Sequence, residues 1–264
     1  MANDIKQVEK VLRWRGLAIH RVAGVENVIL PKTADADLNA VFFRFLAHYS
    51  FRLLLQDILK AGATFTSQQL CRYVSPQKTA FYIDLLLKCG IITQDGPDAY
   101  RFQYPHISTF GPTLQWYVSE VLKRKFAMHA ICNVEVNGLN VGGDFDILAT
   151  LSHYLLCVET KASPPKNIHQ PSIDAFIRRK YALGADMAVL LTDTHLRMED
   201  KINKMVKWAL EKYGRSQQKL YKITRLSRGV FYAGENIYIL NSRPTIHQNI
   251  QIALRYFFDM HADA

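Results

Sequence analysis

An α/β fold in two parts, mostly helical in front and mixed behind, is what this sequence predicts. Three observations carry the expectation. Apolar residues recur at helical spacing through most of the first hundred positions. From residue 129 onward, short strand-like runs alternate with helical ones. Between the two lies a linker-like stretch from Pro105 to Pro112, with Ser108, Thr109 and Gly111 inside it. The expected domains are therefore 1–105 and 106–264.

The composition is that of a folded chain with a partner of opposite charge. Of 264 residues, 49% are hydrophobic, enough for a real core and too many for global disorder. The net charge of +10 divides into +4 up to Pro105 and +6 behind it. Basicity spread over both halves suits a polyanion contacted along the molecule, and equally an ordinary basic soluble protein. Cys71, Cys89, Cys132 and Cys157 sit apart without a CxxC, which argues against a zinc ribbon and a secreted disulfide framework. His129 and Cys132 have a ligand-like gap but no second pair. There is no P-loop, so an ATP-driven motor is not expected. No cleavable signal pattern is visible, and no apolar run approaches the roughly 18 residues of a spanning helix. The expectation is a cytoplasmic chain without a membrane partner.

In the front half, Ile5, Val8, Val11 and Leu12 make one apolar stripe, so a helix is expected over 3–15, ended by Gly16. Residues 17–31 read as an irregular or strand segment. A long helix is expected from Asp37 to Lys60, stopped by Ala61-Gly62. A short helix follows from Thr66 to Tyr73. Ser75-Pro76 opens a third, with serine as N-cap and proline in the first turn. Ile91–Thr93 and Tyr100–Phe102 flank a turn-rich Gln94–Asp98, which makes a hairpin. Helix, short helix, helix, hairpin resembles the winged helix-turn-helix family by order, not by any signature residue. The resemblance implies a third helix that enters a DNA groove. Gln77, Lys78, Thr79 and Tyr82 are then candidate contacts, with Arg101 on the wing. A winged helix used for dimerisation or domain packing is the alternative.

In the back half, a helix is expected over 113–126, with Leu114, Tyr117, Val118, Val121 and Leu122 as its buried stripe. A strand follows over 129–136, then a hairpin of strands 144–150 and 154–161. Next come a helix over 169–183 ended by Gly184, a buried strand over 187–192, and a charged helix over 198–213. A second hairpin over 230–240 turns at Gly234-Glu235-Asn236, and a last helix covers 245–260.

The chemistry concentrates in the hairpin Gly143–Lys161. With Ser152-His153 at the tip of a tight turn, Asp146 stands opposite Glu159. Opposed side chains in an antiparallel pair lie about 5 Å apart at Cβ. Two carboxylates that close repel unless a proton or cation lies between them. Glu159 and Lys161 point to one face and Thr160 to the other. This set suits a hard divalent cation held by two carboxylates, with Lys161 orienting a water or offsetting phosphate charge. The alternative is a structural cross-strand salt bridge of Asp144 with Lys161.

Asp146, followed two half-strands later by Glu159-Thr160-Lys161, resembles the PD-(D/E)XK nuclease superfamily, the restriction-endonuclease-like fold. The order of elements over residues 112–192 matches that family's αβββαβ core, with a mixed sheet. Phe145 stands where the family often has proline. Gly-Asp-Phe-Asp-Ile-Leu-Ala looks most like its resolvase-type and CRISPR-associated branches. The resemblance implies a Mg²⁺- or Mn²⁺-dependent endonuclease, a phosphodiester hydrolase acting on nucleic acid, DNA before RNA. It implies Asp146, Glu159 and the Thr160 carbonyl as metal ligands and Lys161 as a catalytic residue. Glu120, the one acid on the preceding helix, is implied as a further acidic group. The following helix is implied to meet the phosphate backbone, through Arg178, Arg179 and Lys180, with Gln170 a weaker candidate. Many members act as dimers, so a homodimer stays open. The rival reading is a non-catalytic winged-helix DNA-binding regulator whose α/β domain dimerises or senses.

Overall fold

The computed structural model describes residues 2–215 and 221–262. Helix α1 (Ala2–Arg13) and strand β1 (Ala18–Val22) open the chain. Then come α2 (Ala36–Phe45), α3 (Tyr49–Ala61), β2 (Thr64–Thr66), α4 (Ser67–Leu70), α5 (Pro76–Lys88), β3 (Ile92–Gln94) and β4 (Ala99–Phe102). They are followed by α6 (Gly111–Phe126), β5 (His129–Asn137), β6 (Phe145–Leu151), β7 (Tyr154–Lys161), α7 (Gln170–Leu183) and β8 (Met187–Thr192). The chain continues through α8 (Ile202–Tyr213), β9 (Thr224–Ser227), β10 (Val230–Tyr232) and β11 (Ile237–Asn241) to α9 (Ile246–Asp259).

Two compact units result. Residues 24–117 form one, and residues 1–23 with 118–264 form the other, so the boundary falls inside α6. The larger unit carries an eight-stranded sheet in the order β1-β5-β6-β7-β8-β11-β10-β9. It is parallel where β7 pairs β8 and β8 pairs β11, and antiparallel elsewhere. Within it, α6-β5-β6-β7-α7-β8 is the αβββαβ order of the restriction-endonuclease-like fold.

Every residue of β8 is buried, and β7 is buried from Leu155 to Thr160. An unbroken run such as Met-Ala-Val-Leu-Leu-Thr is what a central strand covered on both faces needs. α1 lays Val8, Val11 and Leu12 on Ile131, Val134, Leu148 and Cys157. α7 and α8 cover Ala188, Leu190 and Ile239 with Ile173, Phe176, Ile177, Val206 and Leu210. The helical period of α1 shows which face is buried but not what covers it. The expectation grouped α1 and the following segment with the front helices, whereas they join the large sheet, β1 as its edge strand beside β5.

In the smaller unit, the single helix expected from Asp37 to Lys60 is broken into α2 and α3. The break turns Phe45 onto Phe51 and Tyr82. It also leaves the Leu46 carbonyl to accept a 2.6 Å hydrogen bond from the fully buried Arg52 guanidinium. No glycine or proline marks this turn, so only the packing reveals it. α5 buries Thr79 and Tyr82, and the Tyr82 hydroxyl lies 2.9 Å from Ser50 Oγ. These two are core residues and not the groove contacts expected of them. β2, β4 and β3 form a separate three-stranded sheet. In the larger unit α8 begins at Ile202 rather than Met198, and β9, a polar Thr-Arg-Leu-Ser run without an alternating pattern, extends the sheet through β10. Among the described residues no helix is long and apolar enough to cross a membrane.

Leu12→Ala tests the assignment of α1 to the sheet core. Leu12 is fully buried there, so the change is expected to cost about 2–5 kcal/mol in urea unfolding. A loss of only a few tenths of a kcal/mol, as at an exposed site, would remove α1 from the core.

Candidate active site

The register places the hairpin as its spacing requires. Leu151 pairs with Tyr154 across a two-residue turn at Ser152-His153, with Ser152 at φ +57°, and the ladder runs back to Ile147 opposite Val158. Beyond that pair the two strands part. There the Asp146 carboxylate takes over as partner: its Oδ2 accepts from the Thr160 backbone N–H at 2.7 Å and from the Thr160 hydroxyl at 3.0 Å. Oδ1 accepts from nothing among the described residues. β7 meanwhile stays in parallel register with β8, Glu159 beside Leu190 and Lys161 beside Thr192. Glu159 is thus pinned in a buried central strand, at 5% exposure.

Two cations hold it there. Lys161 Nζ lies 2.6 Å from Glu159 Oε1, and Arg179 Nη2 lies 2.6 Å from Oε2. Arg179 reaches in from α7 past Gly143, where a Cβ would sit 2.8 Å from Arg179 Nη1. Gly143 has φ +94°, a backbone conformation that favours glycine in the loop into β6. Asp146 has no ion pair among the described residues, although the charge of Lys161 favours its ionised form. Burial first, and then the charge of Glu159, pushes its pKa up to about 6, against the bonds from Thr160 that favour its charged form.

The other sequence candidates divide. Glu120 is paired within α6, with Lys123 and with Arg124 at 2.7 Å. The charges of Glu120 and Asp146 both act on the half-buried Cys132 thiol, whose pKa is raised mainly by desolvation and which hydrogen-bonds Ser119. His129 bonds Asp4 at 3.1 Å, so His129 and Cys132 are engaged separately. Of the basic run on α7, Arg178 is exposed and lies over the Tyr213 ring, 5.7 Å from its centroid. Arg179 is the Glu159 partner just described. Lys180 is buried over Tyr181, and that burial lowers its pKa. Gln170 donates to Asp174 and the Met205 carbonyl. In the smaller unit Gln77 and Lys78 are exposed, and Arg101 pairs with Asp95 at 2.8 Å. The expectation missed Asp193, a buried acid whose backbone N–H donates to the Lys161 carbonyl at 2.8 Å. Its signal was available: an acid directly after the fully buried strand Met187–Thr192, which follows the hairpin of the two carboxylates.

Among the described residues no group of three or more His, Cys, Asp and Glu side chains converges as a metal cage. Two carboxylates lie close enough for the charge of Glu159 to act on Asp146. Each carboxylate oxygen has two lone pairs, and the ion pairs of Glu159 take one on each oxygen. The donor set therefore fits a hard, oxygen-seeking cation that keeps several waters. It lacks the nitrogen and sulfur ligands a zinc site would use.

The raised Asp146 pKa fixes a sign. The folded state binds this proton more tightly than the unfolded chain, so the stability tied to Asp146 falls as pH rises from its ordinary 3.8 through about 6. In metal-free buffer, Asp146→Asn is expected to melt higher than wild type at pH 7 and to show a flatter pH dependence between 4 and 6.5. Equal melting curves across that range would place the carboxylate in a far wetter setting.

No protein-family model matches the chain, and no curated protein matches it in sequence. Solved structures do share its fold. Protein VC1899 from Vibrio cholerae aligns with a TM-score of 0.52 at 12% identity, over 95% of this chain and 61% of its own. Can2 from Sulfobacillus thermosulfidooxidans, in complex with cyclic tetra-adenylate (cA4), gives 0.50 at 14% identity, over 93% of this chain and 60% of its own. The chain spans about three fifths of the length of each. The likeness is one of fold.

Proposed function

We propose that this chain is a metal-dependent nuclease that hydrolyses phosphodiester bonds, with DNA the expected substrate. One observation carries the reading: two carboxylates, Asp146 and Glu159, meet an ammonium, Lys161, at the frayed end of an otherwise buried ladder. A regulator that only binds or dimerises has no need of such an arrangement, because charges placed there are costly. The basic balance of +10 and a fold shared with a protein solved with cyclic tetra-adenylate lend support to a nucleic-acid ligand.

Asp146 and Glu159, with the Thr160 carbonyl, would hold Mg²⁺ or Mn²⁺. Such an ion supplies Lewis-acid stabilisation of charge on the phosphoryl group. Thr160 holds Asp146 through Oδ2 and leaves Oδ1 available as a ligand. Lys161, anchored on Glu159, donates to the attacking water or to a phosphate oxygen. Arg179 is a positioning residue in this scheme, since it fixes Glu159 from the side of α7. Glu120 would serve as an outlying acid, released from its own-helix cations. The smaller unit, read as a winged helix, would add contacts through Gln77, Lys78 and Arg101, and Arg178 remains the exposed cation of α7.

Cleavage of plasmid and of single-stranded DNA and RNA with Mg²⁺, Mn²⁺ or EDTA tests the reading. Asp146→Ala and Lys161→Ala are each expected to lose about 100-fold or more in rate. Metal-dependent cleavage that survives in both variants would reject the site. Metal binding should also weaken below pH 6, as Asp146 takes up its proton. Isothermal titration at pH 5 and pH 7 reads this directly, and equal affinities would contradict it.

A further inference from the structure

The same edge of the large sheet carries a second concentration of charge that the proposed centre does not use. A cleft of about 230 Å³ is lined by His195, Arg197, Glu199, Arg225, Arg228 and Arg243, four arginines against one carboxylate. It lies at the C-terminal ends of β8 and β11. Lys161, Thr192 and Asn241 are register partners across β7, β8 and β11. Neighbouring strands are about 4.8 Å apart, so the Asn241 end of the cleft is about 10 Å from Lys161 across the sheet.

The cleft is built and not an accident of long side chains. The loops after β8 and β11 are joined by the Ser242 N–H to the Thr194 carbonyl and by the Ser242 hydroxyl to the same oxygen, each at 3.1 Å. The His195 ring reaches the Ser242 carbonyl at 3.2 Å. The turn between β9 and β10 is pressed against this junction at Gly229, where any Cβ would collide with Asn241 Oδ1 and the Arg243 carbonyl. That close approach sets Arg228 beside Arg243. Among the described residues neither Arg228 nor Arg243 is in an ion pair, and Arg225 donates only to the Ser227 carbonyl. Arg197 pairs with Asp200 at 3.7 Å and Glu199 is the one carboxylate in the lining, so the positive charges of Arg225, Arg228 and Arg243 are left in excess, and an anion placed among them offsets their repulsion. Guanidinium groups present paired donors matched to phosphate oxygens.

We infer that this arginine cleft is a phosphate subsite that grips the substrate backbone a few nucleotides from the bond cleaved at Asp146, Glu159 and Lys161. The inference rests on the nuclease reading for its ligand. It also relocates the grip on the backbone, because α7 spends Arg179 and Lys180 on internal partners.

The test is binding, not cleavage. Fluorescein-labelled single-stranded and duplex oligonucleotides would be titrated in EDTA over a salt series, with wild type, the single variants Arg225→Ala, Arg228→Ala and Arg243→Ala, and the triple variant. Circular dichroism and melting would confirm each fold. The triple variant is expected to bind at least ten-fold more weakly. Its plot of log affinity against log salt should be shallower by about one unit for each phosphate it no longer neutralises. Arg228→Lys should restore most of the salt slope. Unchanged affinity and slope in a folded triple variant would overturn the inference. So would a triple variant that no longer binds inorganic phosphate or AMP while its oligonucleotide affinity stays put, which would mark a small-anion pocket. Because the readout needs no metal, a wild type that binds but never cleaves would remove the nuclease reading and leave this result standing.

Discussion

The acceptance of the Thr160 N–H and hydroxyl by Asp146 is the interaction on which the candidate site depends. A β-ladder that simply ended after Ile147 and Val158 would leave the Thr160 N–H without its antiparallel partner. The carboxylate supplies that partner, and in doing so it is drawn into a half-buried position within reach of the charge of Glu159. Glu159 cannot retreat, because β7 is clamped in parallel register to β8 on its other side. The fold therefore forces two acids together and holds them there by backbone hydrogen bonds rather than by their own attraction. Burial first, and then the charge of Glu159, raises the pKa of Asp146. The charge of Glu159 is itself offset by Lys161 and Arg179.

This arrangement explains the fate of the basic run on α7. Three consecutive residues on a helix turn through about 200°, so they cannot share one surface. Arg178 reaches solvent, Arg179 passes Gly143 to reach Glu159, and Lys180 is buried against Tyr181. A dense string of cations in sequence thus became one exposed charge, one ion-pair partner and one packed stem. The arginines of the cleft are the reverse case. Arg197, Arg225, Arg228 and Arg243 are scattered along the chain and assembled by strand β9 and three loops at one sheet edge. A window along the sequence sees the first group and is blind to the second.

Legibility followed the range of the interactions. The αβββαβ order, the hairpin register and most strand and helix spans were readable, because period, turn residues and caps act within a few positions. The break between α2 and α3 was not, since it is stabilised by Arg52 and by Phe45 packing on Tyr82, interactions that no local pattern announces. The same holds for α1, whose stripe was correctly placed and whose partner sheet was not. The ion pair of Glu159 with Lys161 follows from strand alternation, which puts both on one face. Their third neighbour, Arg179, lies on a separate element and needed the crossing of α7 over the sheet.

What the sequence by itself determined is the local alphabet: which segments are strands, which faces are apolar, and that the acids at 146 and 159 sit on adjoining strands at the open end of one hairpin. What only the tertiary structure decided is how those charges are compensated. The physical reason is that side-chain alternation fixes direction within a strand. The counter-charge, the desolvation and the neighbouring arginine cleft come from elements far apart in the chain, brought together by burial of the large sheet.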